Sequence, residues 1–443
     1  MWIPPRIDSW KLSNGIRVLF VERHDLPIVS VRFVSTVGAG DLLGARPGTV
    51  AFMGAMLEQG AGKRDALTIS DDYEVLGAEH GAACDWDACV ASVKVLSSRV
   101  ASALNVLSDV VVRPTFPGAE VERLRKRWLA SFEQEKSSPP AIEQNALAAV
   151  VFGRADPYGH NLRGAPAYFE KLSRDEIEGV WRRAVRPAST ALVVAGDVVP
   201  ANLHAILQAD FGQWPGGVAV RPVAPQPRRM PAGSDAPIVV VDVPGAAQSQ
   251  VFVAEEGAAM STPDRIPITV MNLILGGLFS SRINLDLREA HAYTYGAHSR
   301  FSFRHRAGPF VAGGAMFAEH TGDAVRELLA QIQRIRAEAV TAEELADAKE
   351  HAKLALPARF ESVGDVTDAL QEIAVYGLPL DEYASRAAQI DAVTEAEVQR
   401  VARQWLRPDA MRIVVTGDRA KIEKDLSSLG RIEWADVYGD LVK

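Results

Sequence analysis

Hydrophobic and polar positions in the first 150 residues recur with the periods of strands and helices. Period-two runs predict strands over Trp10–Val21 and Ile28–Val37, and the pair Asn14–Gly15 predicts a turn inside the first. The stretch Gly48–Leu57 is apolar on almost every side and is followed by Gly60, which predicts a buried helix with a glycine stop. The same pattern predicts helices over Ala66–Leu76, Val100–Val112, Glu120–Lys136 and Pro139–Phe152, and strands within Ala82–Val95.

An internal repeat relates the two halves of the chain. Leu172–Asp197 and Val393–Asp418 align without a gap at an offset of 221 residues. Each segment opens with a Ser/Thr-x-x-Glu capping box, continues as a helix to an Arg-Pro pair, and ends in an apolar strand that closes in Gly-Asp. The repeat predicts two copies of one α+β domain, over residues 1–215 and 238–443. Residues 216–237, rich in Pro, Gly and Arg, are predicted to form a linker.

The most distinctive motif of the second half is Gly276–Gly296, which opens with two glycines, continues as a short helix and ends in an alternating strand. Within the helix, Arg282 and Asp286 are four residues apart and are expected to pair. Arg288 has no acidic residue three or four positions before it, so its guanidinium has donors left for another partner. Residue chemistry alone favours a simpler interpretation, an exposed arginine beside a core aromatic stripe. Period two places four aromatic side chains on one face of the strand, which are Tyr293, Tyr295, Phe301 and Phe303.

Composition changes this picture little, but it excludes some classes of function. Of 443 residues, 48% are hydrophobic and 23% are charged, which is typical of a well-cored protein. The net charge of −8 argues against nucleic-acid binding, and no apolar run is predicted to reach the roughly 18 residues of a membrane span. Residues 1–8 lack the apolar core of a signal peptide. The expected compartment stays open, cytoplasmic as the sequence stands and periplasmic if a signal peptide has been removed.

The two cysteines, Cys84 and Cys89, are five residues apart. In a single strand they point to opposite faces, whereas a hairpin turn between them brings the two thiols together. Two isolated cysteines are more often small buried residues than a bridge or a metal-ligand pair, so buried thiols are favoured here.

Residues suited to catalysis or metal binding are sparse. None of the nine histidines has another histidine three or four positions away. Asp347 and His351 could share an ion, although a solvated helix face explains them better. Neither a Gly-x-Ser-x-Gly elbow nor a reactive-cysteine setting is present.

Four sequence features resemble the pitrilysin/insulinase-type M16 zinc peptidases, and are closest to their bacterial processing-peptidase-like branch, M16B. They are Trp10-Lys-Leu-Ser-Asn-Gly-Ile-Arg-Val-Leu-Phe-Val, Asp156-Pro-Tyr-Gly, the repeated Arg-Pro…Gly-Asp, and Gly276-Gly-Leu-Phe-Ser-Ser-Arg…Leu-Arg-Glu. The resemblance implies an α+β fold of two homologous domains, each a mixed or antiparallel sheet with helices packed on one face, which together form half of a clamshell.

The family's zinc motif, His-x-x-Glu-His, maps onto the first apolar helix. The matching positions are Ala51, Gly54 and Ala55, none of which can bind a metal or move a proton. The family's distal glutamate ligand falls near Ser131–Glu133, and a lone Glu133 does not hold zinc. The resemblance therefore implies that this chain has no zinc site of its own.

The family's substrate-binding pair is retained. An arginine and a tyrosine seven residues apart bind the substrate backbone in the family and help to stabilise the developing oxyanion, and Arg288 and Tyr295 have this spacing. Gly276 and Gly277 either let a peptide or partner approach closely or simply break the helix.

Two hypotheses of function follow. The first is an inactive subunit of a heterodimeric zinc metallopeptidase, with no activity alone, whose M16B partner has an intact His-x-x-Glu-His motif and binds the zinc. The alternative is a non-catalytic peptide-binding or scaffold protein. A homodimer of the isolated chain is compatible with both.

Overall fold

A computed structural model describes residues 2–216 and 237–442. Residues 217–236, which make up most of the predicted linker, lie outside the described residues.

In the first half, the strands are β1 Asp8–Lys11, β2 Arg17–Glu22, β3 Ile28–Ser35, β4 Gly60–Ala61, β5 Arg64–Asp65, β6 Glu79–Cys84, β7 Cys89–Leu96 and β8 Thr190–Gly196. The helices are α1 Thr49–Met56, α2 Ala66–Leu76, α3 Val100–Val112, α4 Gly118–Glu135, α5 Pro139–Phe152, α6 Pro166–Phe169, α7 Arg174–Ala184 and α8 Pro200–Phe211. These bounds follow the hydrophobic periodicity closely.

In the second half, the strands are β9 Ile238–Asp242, β10 Gln248–Glu256, β11 Thr294–Phe301, β12 Pro309–Phe317, β13 Arg412–Gly417 and β14 Ile432–Ala435. The helices are α9 Arg265–Asn272, α10 Arg282–Asn284, α11 Thr321–Ala337, α12 Ala342–Leu354, α13 Val363–Tyr376, α14 Glu382–Ala392, α15 Glu395–Trp405 and α16 Arg419–Ser427. Two turns of π-helix, Leu273–Gly277 and Leu285–Ala290, extend α9 and α10.

The predicted repeat is present in the topology of the two large sheets. Their strand orders are β1-β2-β8-β3-β7-β6 and β11-β12-β10-β13-β9-β14. Five strands of the first sheet, β2-β8-β3-β7-β6, correspond in order and direction to β9-β13-β10-β12-β11 of the second, with one parallel pair followed by three antiparallel pairs. The α+β fold with two mixed sheets is confirmed.

The repeated helices begin as the capping boxes predict. The side chain of Ser173 accepts from the backbone N–H of Glu176, whose carboxylate accepts from the Ser173 N–H in return. Thr394 and Glu397 repeat this arrangement at the start of α15. Both helices then lead to buried strands, β8 and β13.

The chain forms two compact units, and each takes a segment from the other half of the sequence. Among the described residues, the first unit contains 2–129, 162–216 and 355–386, and the second contains 130–161, 237–354 and 387–442. The sequence predicts contiguous domains instead. The difference arises because α13 packs on the first sheet and α5 on the second, and hydrophobic periodicity does not specify which sheet an apolar helix covers.

These exchanged helices cover the second face of each sheet. In the first unit, the Phe33 ring of β3 stacks on Phe211 of α8, whereas the next residue, Val34, packs with Leu370 of α13. Adjacent strand residues point to opposite faces, so α8 and α13 lie on opposite sides of the sheet. The second unit is built in the same way: α5 packs on Val239, Val241 and Val414, while Thr321 of α11 donates to Ser249 of β10 from the other side. The family resemblance implies helices on one face of each sheet. In this structure, one helix also lies on the opposite face.

The helical stretch Arg265–Ala290 has the length and apolar composition of a membrane span, but half of its most apolar window is buried inside the protein. Leu278 and Ser281 within it have extended backbone, which interrupts the helix. A buried core helix passes the same test of length and composition.

Candidate functional site

Helix α1 holds the three positions that resemble the zinc motif. Its neighbour is β6, an edge strand that pairs with β7 alone in the sheet. Ala51 and Gly54 are buried, and Ala55 is half-buried. A Cβ atom on Gly54 would lie 2.7 Å from the backbone N of Cys84 and 2.9 Å from its Sγ. The space in which the motif would place a glutamate is therefore filled by the edge strand.

Cys84 and Cys89 form a disulfide bond, which corrects the interpretation favoured from sequence. They occupy directly opposed positions at the end of the β6–β7 hairpin, with their Cα atoms 4.0 Å apart. Register places them together, because the tight turn after Cys84 makes them cross-strand neighbours. The bridge lies against the helix position of Gly54.

These positions do not fit a zinc ion. Ala51, Gly54 and Ala55 supply no ligand atom, and Gly54 has no room for a side chain. Glu133, the candidate distal ligand, is exposed and forms an ion pair with Lys136 at 2.7 Å. A nearby pair that sequence reasoning missed is Glu58 and His80, whose Oε1 and Nδ1 atoms are 2.9 Å apart. Residues 22 positions apart give no local signal for such a contact.

Arg288 lies in the π-helical turn Leu285–Ala290. Its side chain is 34% exposed, and the guanidinium carbon lies 4.4 Å from the centroid of the Phe279 ring. In the described part of the chain its ion pair is a loose contact with Glu289, where Nε and Oε1 are 3.4 Å apart. Phe279 is itself 70% exposed, so the cation and the ring together form a solvent-facing surface.

Tyr295 follows in the edge strand β11 and is 79% exposed. Its ring packs edge-on against Phe317 at 5.4 Å between centroids. A register shift between Thr294 and Ala297 inserts an extra residue at this point, and bulges of this kind redirect side chains. The predicted single face of four aromatics is not formed, since Tyr293 precedes the strand and stacks on His291.

Arg288 and Tyr295 lie on elements that pack against each other, because the turn that bears Arg288 contacts β11. Asn284, which sequence reasoning missed, connects these elements. Its Nδ2 donates to the Phe279 carbonyl at 2.7 Å, and its Oδ1 accepts from Ala297 N at 3.1 Å. An isolated asparagine in a helix gives no signal for this role.

Of the two glycines, Gly276 is buried and Gly277 is exposed. A Cβ on Gly276 would lie 2.5 Å from the backbone N of Ser299 in β11, so this residue allows the helix end to approach the strand. A Cβ on Gly277 would lie 3.1 Å from the carbonyl of Asn272.

The predicted pair of Arg282 with Asp286 is wrong. Arg282 donates from Nε and Nη2 to both carboxylate oxygens of Glu344, at 2.6 and 2.8 Å. This ion pair holds the pKa of Glu344 below its usual range. A bidentate pair across two elements replaces the single-helix pair, because both side chains are largely buried between those elements.

Comparison with known proteins agrees with this architecture. Residues 18–164 match the family described as Insulinase (Peptidase family M16), and residues 171–351 match the Peptidase M16 inactive domain. The mitochondrial-processing peptidase subunit beta of Blastocladiella emersonii is 23% identical over 93% of this chain and 89% of its own length. An uncharacterized zinc protease of Mycobacterium tuberculosis is 23% identical over 89% of this chain and 90% of its own.

Solved structures of similar proteins have the same fold as this chain. A peptidase M16 inactive domain from Pseudomonas fluorescens superposes with a TM-score of 0.83 and 27% identity, covering 93% of this chain and 98% of that one. A protease from Helicobacter pylori has the same fold, with a TM-score of 0.83 and 17% identity over 94% of this chain and 100% of that one. Both halves of the chain match the family, and we conclude that this protein belongs to the M16 peptidase family.

Proposed function

We propose that this chain is the non-catalytic subunit of a two-subunit M16 zinc peptidase, in which Arg288 and Tyr295 bind peptide substrate and the partner subunit contains the metal site. The observation on which the proposal rests is a contrast between two places in the chain. At Gly54 a backbone strand fills the space that a catalytic side chain would need. At Arg288 and Tyr295, by contrast, the side chains reach solvent.

The chemistry of this pair suits a peptide backbone. Arg288 has a fixed positive charge and several N–H donors, and the Tyr295 phenol adds one O–H donor. Donors of this kind can bind a peptide carbonyl and can stabilise negative charge that develops on its oxygen. The exposed Phe279 ring beneath the guanidinium limits the positions that Arg288 can adopt.

The backbone edge of β11 is partly closed to an added peptide strand. β11 pairs with β12 alone in its sheet, but on its other edge the Ala297 N–H donates to Asn284 and the Ser299 carbonyl accepts from Asn272. We therefore assign peptide binding to the side chains of Arg288 and Tyr295. The name of the Blastocladiella relative, a subunit of a processing peptidase, supports a two-subunit assembly.

The test is complementation of peptidase activity. The purified chain, an M16 chain with an intact His-x-x-Glu-His motif from the same organism, and their mixture are each assayed on a quenched peptide library. Activity is expected in the mixture and not from this chain alone. Arg288→Ala combined with Tyr295→Phe is expected to lower kcat/KM of the mixture by roughly a hundredfold.

Arg419→Ala is the matched control. Arg419 also lies over an aromatic ring, that of Trp434 at 4.2 Å, and is about half exposed. Its removal is expected to leave the activity of the mixture unchanged. Equal losses from both variants, or zinc-dependent activity from this chain alone, would contradict the proposal.

An inactive mixture that still binds peptides would favour the second function, a peptide-binding or scaffold protein. Fluorescence anisotropy with labelled library peptides distinguishes the two, because peptide affinity then depends on Arg288 and Tyr295 without any partner.

A further inference from the structure

A cluster of metal-ligand side chains lies beside the helix that bears Arg288, at a place unrelated to the zinc motif. One ligand atom from each of Asp286, His291 and Glu327 lies within 4.8 Å of the other two. Asp286 and His291 are at the two ends of the Leu285–Ala290 turn, and Glu327 is on α11, which packs against that turn. Donor atoms on opposite sides of one ion are about 4 Å apart, so small side-chain rotations would complete this set.

Protein partners do not satisfy these ligands. Arg282, the expected partner of Asp286, is engaged by Glu344. The Oδ2 atom of Asp286 is buried and has no hydrogen-bond partner in the described residues. His291 Nε2 lies 3.9 Å from the other carboxylate oxygen, which is too long for a hydrogen bond. A carboxylate oxygen without a protein donor is available to a cation or to a water molecule bound by one.

A second polar group lies on the face of α11 that bears Glu327. Glu327 belongs to the cluster, and Arg334, seven residues later, interacts electrostatically with Asp286. Gln331 lies between them, one turn after Glu327 on the same helix face. It is 7% exposed, and its Oε1 atom is buried without a hydrogen-bond partner. An amide oxygen in this position is a further candidate ligand.

The local charge also favours a cation. Two arginines of α11 near these carboxylates are already paired, Arg326 with Asp323 at 2.6 Å and Arg334 with Glu338 at 2.9 Å. The Tyr293 ring stacks on His291 at 5.0 Å and limits the orientation of the imidazole.

We propose that Asp286, His291 and Glu327 bind one divalent transition-metal ion, which fastens the Arg288-bearing turn to α11. One imidazole and two carboxylates suit zinc or manganese better than calcium or magnesium, which prefer all-oxygen sites. The site is structural, because it lies within the second unit and involves none of the zinc-motif positions. The inference is independent of the peptidase proposal, since neither the ligands nor the ion needs a partner subunit.

Titration of the full-length, tag-free chain with ZnCl₂ after chelator treatment tests the site. Isothermal titration is expected to show one equivalent of Zn²⁺, and saturation is expected to raise Tm by several degrees. His291→Ala and Glu327→Gln are each expected to weaken Zn²⁺ affinity at least tenfold and to abolish the rise in Tm. Glu327→Gln keeps the side-chain shape, so it remains informative if His291→Ala is poorly folded.

His351→Ala is the control, because His351 is exposed on a different helix and should not alter binding. Anomalous scattering at the zinc edge from crystals would place the ion between the turn and α11. The absence of saturable Zn²⁺ binding, or binding that both ligand variants leave unchanged, would overturn the inference. Failure of the peptidase complementation would not affect this result, since binding is measured on the chain alone.

Discussion

Glu143 on α5 is a buried carboxyl group with an unusual titration. The residue is 4% exposed, and its Oε1 atom is buried without a hydrogen-bond partner. Burial raises its pKa to about 8, although the positive charge of Arg300 opposes the shift. The folded state therefore binds this proton more tightly than the unfolded chain, whose carboxyl has a pKa near 4.5.

Stability is expected to fall as the pH rises towards 8. A group whose pKa is raised in the folded state contributes its full stabilisation below the pKa it has in the unfolded chain. This stabilisation is lost as the pH rises through the pKa of the folded state. Between the two pKa values, the free energy of unfolding is expected to fall by an amount on the order of a few kcal/mol. Urea unfolding should show a free energy of unfolding that falls between pH 7 and pH 8 in the wild type. The fall should be smaller in Glu143→Gln.

The control is Glu122→Gln, which alters an exposed carboxyl on α4 and should keep the wild-type slope. Burial lowers the pKa of His298, so its contribution is lost below about pH 6.5, outside this window. Parallel slopes for Glu143→Gln and the wild type would show that Glu143 is ionised in the folded protein.

Any side chain at position 54 in place of Gly54 is predicted to destabilise the folded protein. Gly→Ala in a helix usually stabilises by about 1 kcal/mol, but a Cβ at Gly54 would contact the Cys84 backbone at 2.7 Å. Gly54→Ala is therefore expected to lower the free energy of unfolding by about 1–3 kcal/mol. Denaturant melts measure the difference.

Gly179 on α7 is the matched position, since a Cβ there meets no atom within 4 Å. Gly179→Ala is expected to raise stability by about 0.5–1 kcal/mol. The same sign for both substitutions would mean that β6 moves away from α1 at little energetic cost.

At the scale of elements, the exchanged helix α13 forms much of the first unit's core. Leu370 is fully buried and packs in the same cluster as Val34 and Val193 of the sheet. Leu370→Ala is expected to lower the free energy of unfolding by about 2–5 kcal/mol, because it leaves a cavity under the sheet.

Leu354→Ala at the end of α12 serves as the comparison, since Leu354 is 71% exposed. Its effect should stay within about 0.5 kcal/mol. A small effect at Leu370, measured by the same chemical denaturation, would show that α13 contributes little to the core around the sheet.

At the scale of the molecule, the exchange of helices makes the two halves of the sequence interdependent. Residues 2–216 expressed alone lack α13, which leaves the apolar sheet face around Val34 and Val193 exposed. Each half alone is therefore expected to lack cooperative unfolding and near-UV circular dichroism. Co-expression of 1–216 with 237–443 should restore both. A single half with a sharp, native-like unfolding transition would refute this expectation.

The sequence alone determined the features that depend on neighbouring residues. The capping boxes at Ser173 and Thr394 and the buried strands β8 and β13 follow from patterns that span fewer than 30 residues. The repeat predicted two similar sheets, and motif resemblance identified the family. Because short-range hydrogen bonding and hydrophobic periodicity dictate such elements, their bounds could be predicted without the structure.

Tertiary structure alone decided which distant residues meet. Arg282 pairs with Glu344, 62 residues away, instead of with its helix neighbour Asp286. Register joins Cys84 to Cys89, and the packing of α11 on a π-helical turn brings Glu327 to Asp286. Each helix has an apolar face that several sheets could cover, so periodicity does not select the partner. The selection depends on the packing of the whole chain, where burial and long-range distances are decided together.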